Sequence, residues 1–227
     1  MPEPAFASHL DQIRSAIAAE QEAGGWTHPV RIIAVTKTHG AESVREAAAA
    51  GLGDVGENRV QEALAKQDAC ADVAVDWHLI GSLQQNKVRH AAGRFSLIHS
   101  VDRSELGAEI DRRTPSGMIQ RVLVQVNCSG EAQKGGVTPD QLEPLLEAMR
   151  SMPHLTAVGL MTMAALTADV STQRRTFGRL RTVRDAMQAS GYMLPELSMG
   201  MSNDFEAAVA EGATMVRLGT LLFGVRA

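Results

Sequence analysis

Hydrophobic residues along the chain follow two periods, one typical of buried strands and the other typical of helices. The first clear strand is 31–37, where four consecutive apolar residues stand between an arginine and a Thr-Lys pair. Before it, apolar residues spaced four, three and four positions apart predict one face of an N-terminal helix: Phe6, Leu10, Ile13 and Ile17. The chain therefore opens with a helix that precedes the first strand.

Seven further segments have the composition of short buried strands, and segments with helical spacing separate them. The predicted strands are 54–58, 77–81, 95–101, 122–126, 157–161, 196–199 and 215–218. The helices predicted between them are 41–50, 60–66, 86–92, 171–190 and 203–211, with two more that begin at the N-cap residues Asp102 and Thr138.

Strands that alternate with helices and are buried on both faces indicate a parallel sheet. Eight such units predict an α/β protein, a closed (β/α)8 TIM barrel with an extra N-terminal helix, in a single domain over residues 1–227. A doubly wound open sheet is the alternative. It would need a glycine-rich turn after an early strand, but 37–40 reads Lys-Thr-His-Gly, and the chain has neither GxGxxG nor a Walker A motif.

Composition narrows the classes of function. The formal net charge is −4 and no basic block occurs, which argues against nucleic acid or an anionic membrane as a partner. Two cysteines, Cys70 and Cys128, are too few for a disulfide framework. Charged residues within the first 20 positions exclude a signal peptide there, so a cytoplasmic location is expected. The histidines show no metal-ligand spacing, and no metal site is predicted.

Candidate chemistry lies where the strands end, because barrel active sites form at the C-terminal ends of their strands. Lys37 ends the first strand, and Asn58 ends the second. An amine buried at the end of an apolar strand face tends to lose its proton, and a neutral amine is a nucleophile toward carbonyls. A lysine whose charged end simply reaches water is the alternative, and the strand alone favours it.

The loops after the seventh and eighth strands carry groups suited to a phosphate, which barrels often bind there. Ser202 offers a hydroxyl beside a helix N-terminus, Gly219 allows close approach of the backbone, and Thr220 adds a donor. Alternatively, Ser202 is only an N-cap and Gly219 only a strand end.

Arg217 faces the same side of its strand as Gly219, so it shares the barrel mouth with Lys37 if the first and last strands pair. A ligand with a phosphate ester and an aldehyde would suit both groups, and a surface salt bridge is the alternative role for Arg217. Four methionines near the mouth are expected in the core rather than against a ligand: Met161, Met163, Met199 and Met201.

Seven ordered segments carry a resemblance to a known family. They are AVTKTH at 34–39, GENRVQEA at 56–63, WHLIGSLQQNK at 77–87, HSVDR at 99–103, GLMTM at 159–163, LSMGMSNDFEAA at 197–208 and VRLGTLLFG at 216–224. In these segments the chain resembles the YggS/PROSC-type pyridoxal 5′-phosphate (PLP) homeostasis proteins, which share a barrel with the N-terminal domain of alanine racemase.

The resemblance implies PLP as the cofactor and a role in intracellular PLP homeostasis without robust catalysis, with apo PLP enzymes as candidate recipients. The contacts it implies are an internal aldimine at Lys37, the ring edge at Asn58, the phosphate at Ser202, Gly219 and Thr220, and the pyridine nitrogen at Arg217. Short loops and the lack of a large unexplained apolar segment favour a monomer.

Enzymatic alternatives remain open from the residues. An arginine only donates, so it pairs with an unprotonated pyridine nitrogen and makes PLP a weaker electron sink, which disfavours aminotransferase chemistry. A PLP-dependent amino-acid racemase or another PLP enzyme with Lys37 as sole base is the first alternative, and a Schiff-base aldolase for a phosphorylated sugar is the second.

Alanine racemases add a tyrosine from a second domain. The single tyrosine here, Tyr192, is expected at the far end of the barrel, and no second domain is expected.

Overall fold

Eight parallel strands, each paired with the next in chain order, form a closed barrel in the computed structural model, which describes residues 4–224. Their bounds are β1 (Arg31–Val35), β2 (Asp54–Glu57), β3 (Asp76–Leu79), β4 (Leu97–Val101), β5 (Gln120–Gln125), β6 (Leu155–Met161), β7 (Glu196–Met201) and β8 (Met215–Leu218). The pairing of β8 with β1 closes the barrel and sets Arg217 beside Ile33. The predicted (β/α)8 barrel is therefore confirmed.

Helices cover the outside of this barrel. Within the described residues their bounds are α1 (Pro4–Gly24), α2 (Ala41–Ala49), α3 (Val60–Ala69), α4 (Val88–Ala91), α5 (Ser104–Arg113), α6 (Leu142–Arg150), α7 (Val170–Ala189), α8 (Phe205–Ala210) and α9 (Thr220–Phe223). Short 3-10 turns occur at Gln85–Lys87, Ala132–Lys134 and Pro139–Gln141. The extra N-terminal helix is confirmed: α1 buries its predicted apolar face and packs against α8 and α9. No helix in 4–224 combines the length and apolarity needed to cross a membrane.

Several element ends differ from the sequence-based bounds. The first strand ends at Val35, so Thr36 and Lys37 lie in the loop that follows it. Asp102 is not an N-cap: Arg103 occupies that position before α5, and the Asp102 carboxylate instead accepts a bond from the Arg103 guanidinium at 2.6 Å. Thr138 does stand at an N-cap position, but its side chain makes no capping hydrogen bond and a 3-10 turn precedes α6.

The apolar core has two parts, one between the strands and the helices and a smaller one inside the barrel. The inner cluster consists of Ile33, Leu97, Leu123, Met161 and Met215. TIM barrels usually fill this space with layers of branched aliphatic side chains. Here polar residues occupy much of the remaining interior, and they lead toward the mouth of the barrel.

Candidate functional site

A cavity of about 590 Å³ opens at the C-terminal ends of the strands. Its lining includes all six residues singled out from the sequence: Lys37, Asn58, Ser202, Arg217, Gly219 and Thr220. The closed barrel brings them together because the C-terminal ends of parallel strands meet at one rim. Ligand cavities typically have volumes of roughly 300–1,000 Å³, so this one has the size of a ligand site.

Lys37 lies at the cavity mouth with an exposed side chain. The expectation that an apolar strand face buries this amine is wrong, because β1 ends two residues earlier. The alternative expectation, that the charged end of Lys37 reaches water, agrees with the exposed side chain. An exposed amine in the cavity wall is nevertheless accessible to an aldehyde that enters the cavity.

The backbone on both sides of Lys37 is held by α3. The Lys66 ammonium donates to the Thr36 carbonyl oxygen at 2.6 Å, and the Thr38 N–H donates to the Glu62 carboxylate at 2.6 Å. Thr38 has a φ of 69°, the one non-glycine residue with positive φ among residues 4–224. Such a conformation is unfavourable for a β-branched residue and persists where the surroundings hold it. The loop that presents Lys37 is thus anchored rather than free.

Glu57, at the end of β2, completes this anchor behind the cavity wall. Its Oε1 accepts bonds from the Lys66 ammonium and from the Thr36 hydroxyl, both at 2.6 Å. Its Oε2 is buried without a hydrogen-bond partner among residues 4–224. Burial raises the pKa of the Glu57 carboxyl, against the opposing effect of the bonds from Lys66 and Thr36.

Asn58 follows Glu57 and is half-buried in the cavity wall. The loop after β3 packs directly on its backbone through Gly81. A Cβ at Gly81 would lie 2.2 Å from the Asn58 carbonyl oxygen, so a side chain there would displace the loop. The close approach explains why a glycine stands at this position.

Ser202, Gly219 and Thr220 line the side of the cavity formed after β7 and β8. Ser202 is not the N-cap of α8, because that position belongs to Asp204. Its hydroxyl oxygen instead accepts a bond from the Leu221 N–H, at 3.4 Å, in the first turn of α9. Ser202, Gly219 and Thr220 therefore lie on the same side of the cavity, as predicted. The helix whose first turn contacts Ser202 is α9, not α8.

Gly200 makes this arrangement feasible. The register between β7 and β8 shifts between Ser198 and Met201, and Gly200 within this shift has a φ of 88°. A Cβ at Gly200 would lie 2.6 Å from the Cβ of Ala208. The glycine thus allows β7 to bend over α8 and carry the chain back to the cavity at Ser202.

Arg217 projects into the barrel interior and is only 5% exposed. Its guanidinium donates to the Ser198 hydroxyl oxygen at 2.6 Å and to the Thr162 carbonyl oxygen at 3.0 Å. No carboxylate within 4–224 lies at ion-pair distance from it, so the surface salt bridge considered from the sequence is wrong. Burial lowers the pKa of Arg217 to about 10, and the nearby charge of Asp204 opposes this effect. The group remains a cation at neutral pH.

Sequence reasoning missed several cavity residues. Gln125, Lys134 and Gln173 also line the cavity, and the Gln125 amide donates to the Lys134 carbonyl oxygen at 2.8 Å. Lys134 belongs to the segment 127–137, which is polar and contains three glycines, but only the closed sheet places this segment at the cavity. Two of the four methionines, Met163 and Met201, also line the cavity, contrary to expectation, whereas the other two are buried in the core.

Tyr192 lies far from the cavity, where α7 leads into β7. Its hydroxyl donates to the Glu147 carboxylate at 3.1 Å, and the Arg150 guanidinium lies 4.3 Å from its ring centroid. The sole tyrosine of the sequence is therefore at the N-terminal end of the barrel, as expected.

Comparison with known proteins identifies the family of this chain. The family model described as "Alanine racemase, N-terminal domain" matches residues 8–227. A pyridoxal phosphate homeostasis protein of Pseudomonas aeruginosa is 46% identical over 209 residues, which covers 92% of this chain and 90% of the relative. The protein of the same name from Aquifex aeolicus is 43% identical over 219 residues, with 96% and 95% covered.

Solved structures show the same fold. The PipY protein of Synechococcus elongatus, determined with PLP bound, is 39% identical with a TM-score of 0.85, covering 96% of this chain and 100% of PipY. Alanine racemase from Corynebacterium glutamicum shares the fold at a TM-score of 0.74 and 17% identity, with 98% of this chain and 61% of the racemase covered. These relatives confirm the resemblance found in the sequence.

Proposed function

Since the chain belongs to the family of pyridoxal phosphate homeostasis proteins, we propose that it binds PLP in the cavity at the C-terminal ends of its strands and serves in PLP homeostasis. The observation that carries this proposal is the meeting, in one cavity, of a lysine amine, a buried arginine without a carboxylate partner, and hydroxyl donors. Each of these groups suits a different part of PLP.

The residues present fit the cofactor. Ser202, Thr220 and the backbone at Gly219 would hold the phosphate, because hydroxyl and backbone N–H groups are effective phosphate donors. Arg217 would donate to the pyridine nitrogen, and Lys37 would hold the aldehyde carbon through its amine. Asn58 lies in the wall between the Lys37 loop and the loop at Gly81, where it would contact the ring edge.

Arg217 supports a holding role rather than rapid turnover. PLP supplies an aldehyde that condenses with amines and a pyridine ring that withdraws electrons. A guanidinium donates and does not release its proton near neutral pH, so it favours an unprotonated pyridine nitrogen. The ring then stabilises a neighbouring carbanion less well than a protonated ring does.

A PLP-dependent racemase, or another PLP enzyme with Lys37 as its sole base, is the second candidate, because the fold is shared with alanine racemases. Tyr192 lies at the opposite end of the barrel from Lys37, which separates the only tyrosine of the sequence from the cavity. We therefore propose that the protein is not primarily an enzyme and that it carries or buffers PLP for apo-enzyme recipients.

Borohydride reduction tests the site. The protein is saturated with PLP, reduced, digested and mapped by mass spectrometry across its four lysines, of which Lys37 and Lys134 line the cavity. We expect the reduced adduct on Lys37, with Lys66 and Lys87 as internal controls that stay unmodified. An adduct confined to Lys134, or no adduct at all, would contradict the assignment of Lys37.

A second experiment separates the two functions. The PLP-loaded protein is incubated with L- and D-amino acids, and optical rotation is followed over time. We expect no turnover at ordinary enzyme rates. A rate of about 1 per second or more would favour the enzyme.

A further inference from the structure

Five polar side chains form a hydrogen-bonded line through the interior of the barrel, here named the interior polar line. Its members, from the cavity to the opposite end, are Arg217, Ser198, His99, His78 and Asp54. Arg217 donates to the Ser198 oxygen at 2.6 Å, and that oxygen lies 3.0 Å from Nδ1 of His99. Nε2 of His99 lies 3.0 Å from Nδ1 of His78, and Nε2 of His78 lies 2.8 Å from Oδ1 of Asp54.

If both histidines are neutral, the two ends of the interior polar line fit a single direction of its protons. A guanidinium only donates, so the Ser198 oxygen accepts from Arg217 and its hydroxyl proton points to Nδ1 of His99. The proton of His99 is then on Nε2 and points to Nδ1 of His78. The proton of His78 is likewise on Nε2 and points to the Asp54 carboxylate, which only accepts.

This direction requires both imidazoles to be neutral. A proton on Nδ1 of His99 would face a serine oxygen that already accepts from Arg217, and the serine proton would lose its acceptor. Burial is the largest cause that lowers the pKa of His99 well below its ordinary value, and the nearby charges of Arg217 and Arg31 act in the same sense, so His99 is neutral. The line therefore places a neutral hydroxyl, and not an anion, against the guanidinium.

Such a line is costly to place in a barrel interior. His78, His99 and Ser198 are essentially inaccessible to solvent, and they occupy space that aliphatic side chains fill in most TIM barrels. Buried polar groups destabilise a fold unless each is hydrogen-bonded. A metal does not account for them: within 4–224 no group of three histidine, cysteine or acidic side chains is arranged to hold a metal ion. The line ends at the ligand cavity, which points to a role there.

We propose that Ser198, His99 and His78 are positioning residues for Arg217: they fix the plane of its guanidinium through neutral groups, which add no negative charge beside it where it would meet the pyridine nitrogen of PLP. This inference rests on the proposed function. Asp54, held at the far end by Arg31, whose guanidinium also pairs with Glu196, sets the direction of the line. Two of the five N–H groups of Arg217 donate to Ser198 and Thr162, and the residue also lines the cavity.

The variant His99→Phe tests this role, with His99→Gln as its matched control. Phenylalanine fills the space of the imidazole but removes the acceptor for Ser198 and the donor to His78. Glutamine offers an amide oxygen that can accept from Ser198 and an NH2 group that can donate to His78, the same two roles as a neutral histidine protonated on Nε2. We expect His99→Phe to weaken PLP binding by about tenfold or more and to shift the visible absorbance band of bound PLP. His99→Gln should restore both the affinity and the band.

An NMR measurement and a second variant make the outcome decisive. Nitrogen-15 NMR of histidine in the ligand-free protein should show His78 and His99 neutral and protonated on Nε2; protonation on Nδ1 of either would overturn the inference. If His99→Phe does not fold, Ser198→Ala, a smaller change that removes the acceptor for Arg217, takes its place with the same expected loss. Unchanged PLP affinity, or equal losses in His99→Phe and His99→Gln, would overturn the positioning role alone. Wild-type protein that takes up no PLP would instead contradict the proposed function.

Discussion

Replacement of Lys66 by methionine should destabilise the protein far more than its position on the outside of the barrel suggests. The Lys66 ammonium is buried, and it donates to the Glu57 carboxylate and to the Thr36 carbonyl oxygen, both at 2.6 Å. Methionine keeps most of the side-chain volume but removes both of these bonds and the longer contact of the ammonium with the Glu62 carboxylate at 3.4 Å. The variant therefore leaves an ionised Glu57 buried, with the Thr36 hydroxyl as its remaining hydrogen-bond donor.

Breaking one partner of a buried ion pair typically costs about 3–5 kcal/mol, and we expect a loss of this size in the free energy of unfolding at neutral pH. The loss should depend on pH. Burial already raises the pKa of Glu57, and removal of the ammonium raises it further. The folded variant then holds the Glu57 proton more tightly than the unfolded chain does, so the destabilisation shrinks as the pH falls.

Urea denaturation at pH 7 and pH 5 measures both effects. Arg45→Met is the matched control, since Arg45 pairs with Asp72 at the same distance of 2.6 Å but on the exposed surface, where a pair contributes about 0–1 kcal/mol. The double variant Glu57→Gln/Lys66→Met should recover much of the lost stability, because it removes the buried charge. A cost below about 1 kcal/mol for Lys66→Met at pH 7, or a cost that grows at pH 5, would refute the reasoning.

Three further predictions concern the cavity and the buried thiols. The double variant Ser202→Ala/Thr220→Ala should raise the PLP dissociation constant about tenfold or more in equilibrium dialysis, because two hydroxyl donors to the phosphate are lost. Unchanged affinity would contradict the phosphate site. Thr38→Asn should raise the free energy of unfolding by about 1 kcal/mol in thermal denaturation, since asparagine tolerates the φ of 69° better than a β-branched residue, and a destabilised variant would be the contrary result. Cys70 and Cys128 should resist iodoacetamide at pH 8 until the protein is unfolded, because both thiols are buried. Burial raises the pKa of both thiols, that of Cys128 to about 11. Alkylation of the native protein, detected by mass spectrometry, would count against this prediction.

The periodicity of apolar residues by itself determined the order of elements and the barrel. Eight strand-like segments separated by helical ones leave few arrangements in which every strand is buried on both faces, so the α/β class follows from local pattern. The same rule located the site, because the residue after each strand must lie at one rim of a closed parallel sheet. Lys37 and Asn58 were found in this way and Arg217 by its position on the same side of its strand as Gly219, and the structure places all three in the wall of one cavity.

The pattern could not determine where β1 stops. Thr36 and Lys37 continue the alternation of the strand, but the main chain leaves the sheet after Val35. Contacts with α3 decide this: the Lys66 ammonium binds the Thr36 carbonyl oxygen, and Glu62 binds the Thr38 N–H. These partners are separated by 30 and 24 residues, a distance over which periodicity carries no information.

Tertiary structure alone decided the surroundings of Arg217 and the second lysine of the cavity. Arg217 meets Ser198, 19 residues away, and Ser198 meets His99, 99 residues away, so the interior polar line exists only once β4, β7 and β8 share one interior. Lys134 likewise reaches the cavity from a loop whose sequence showed only that it was polar and glycine-rich. A sequence shows which side chains lie on the same face of a strand, but closure of the sheet determines which of them come within hydrogen-bonding distance.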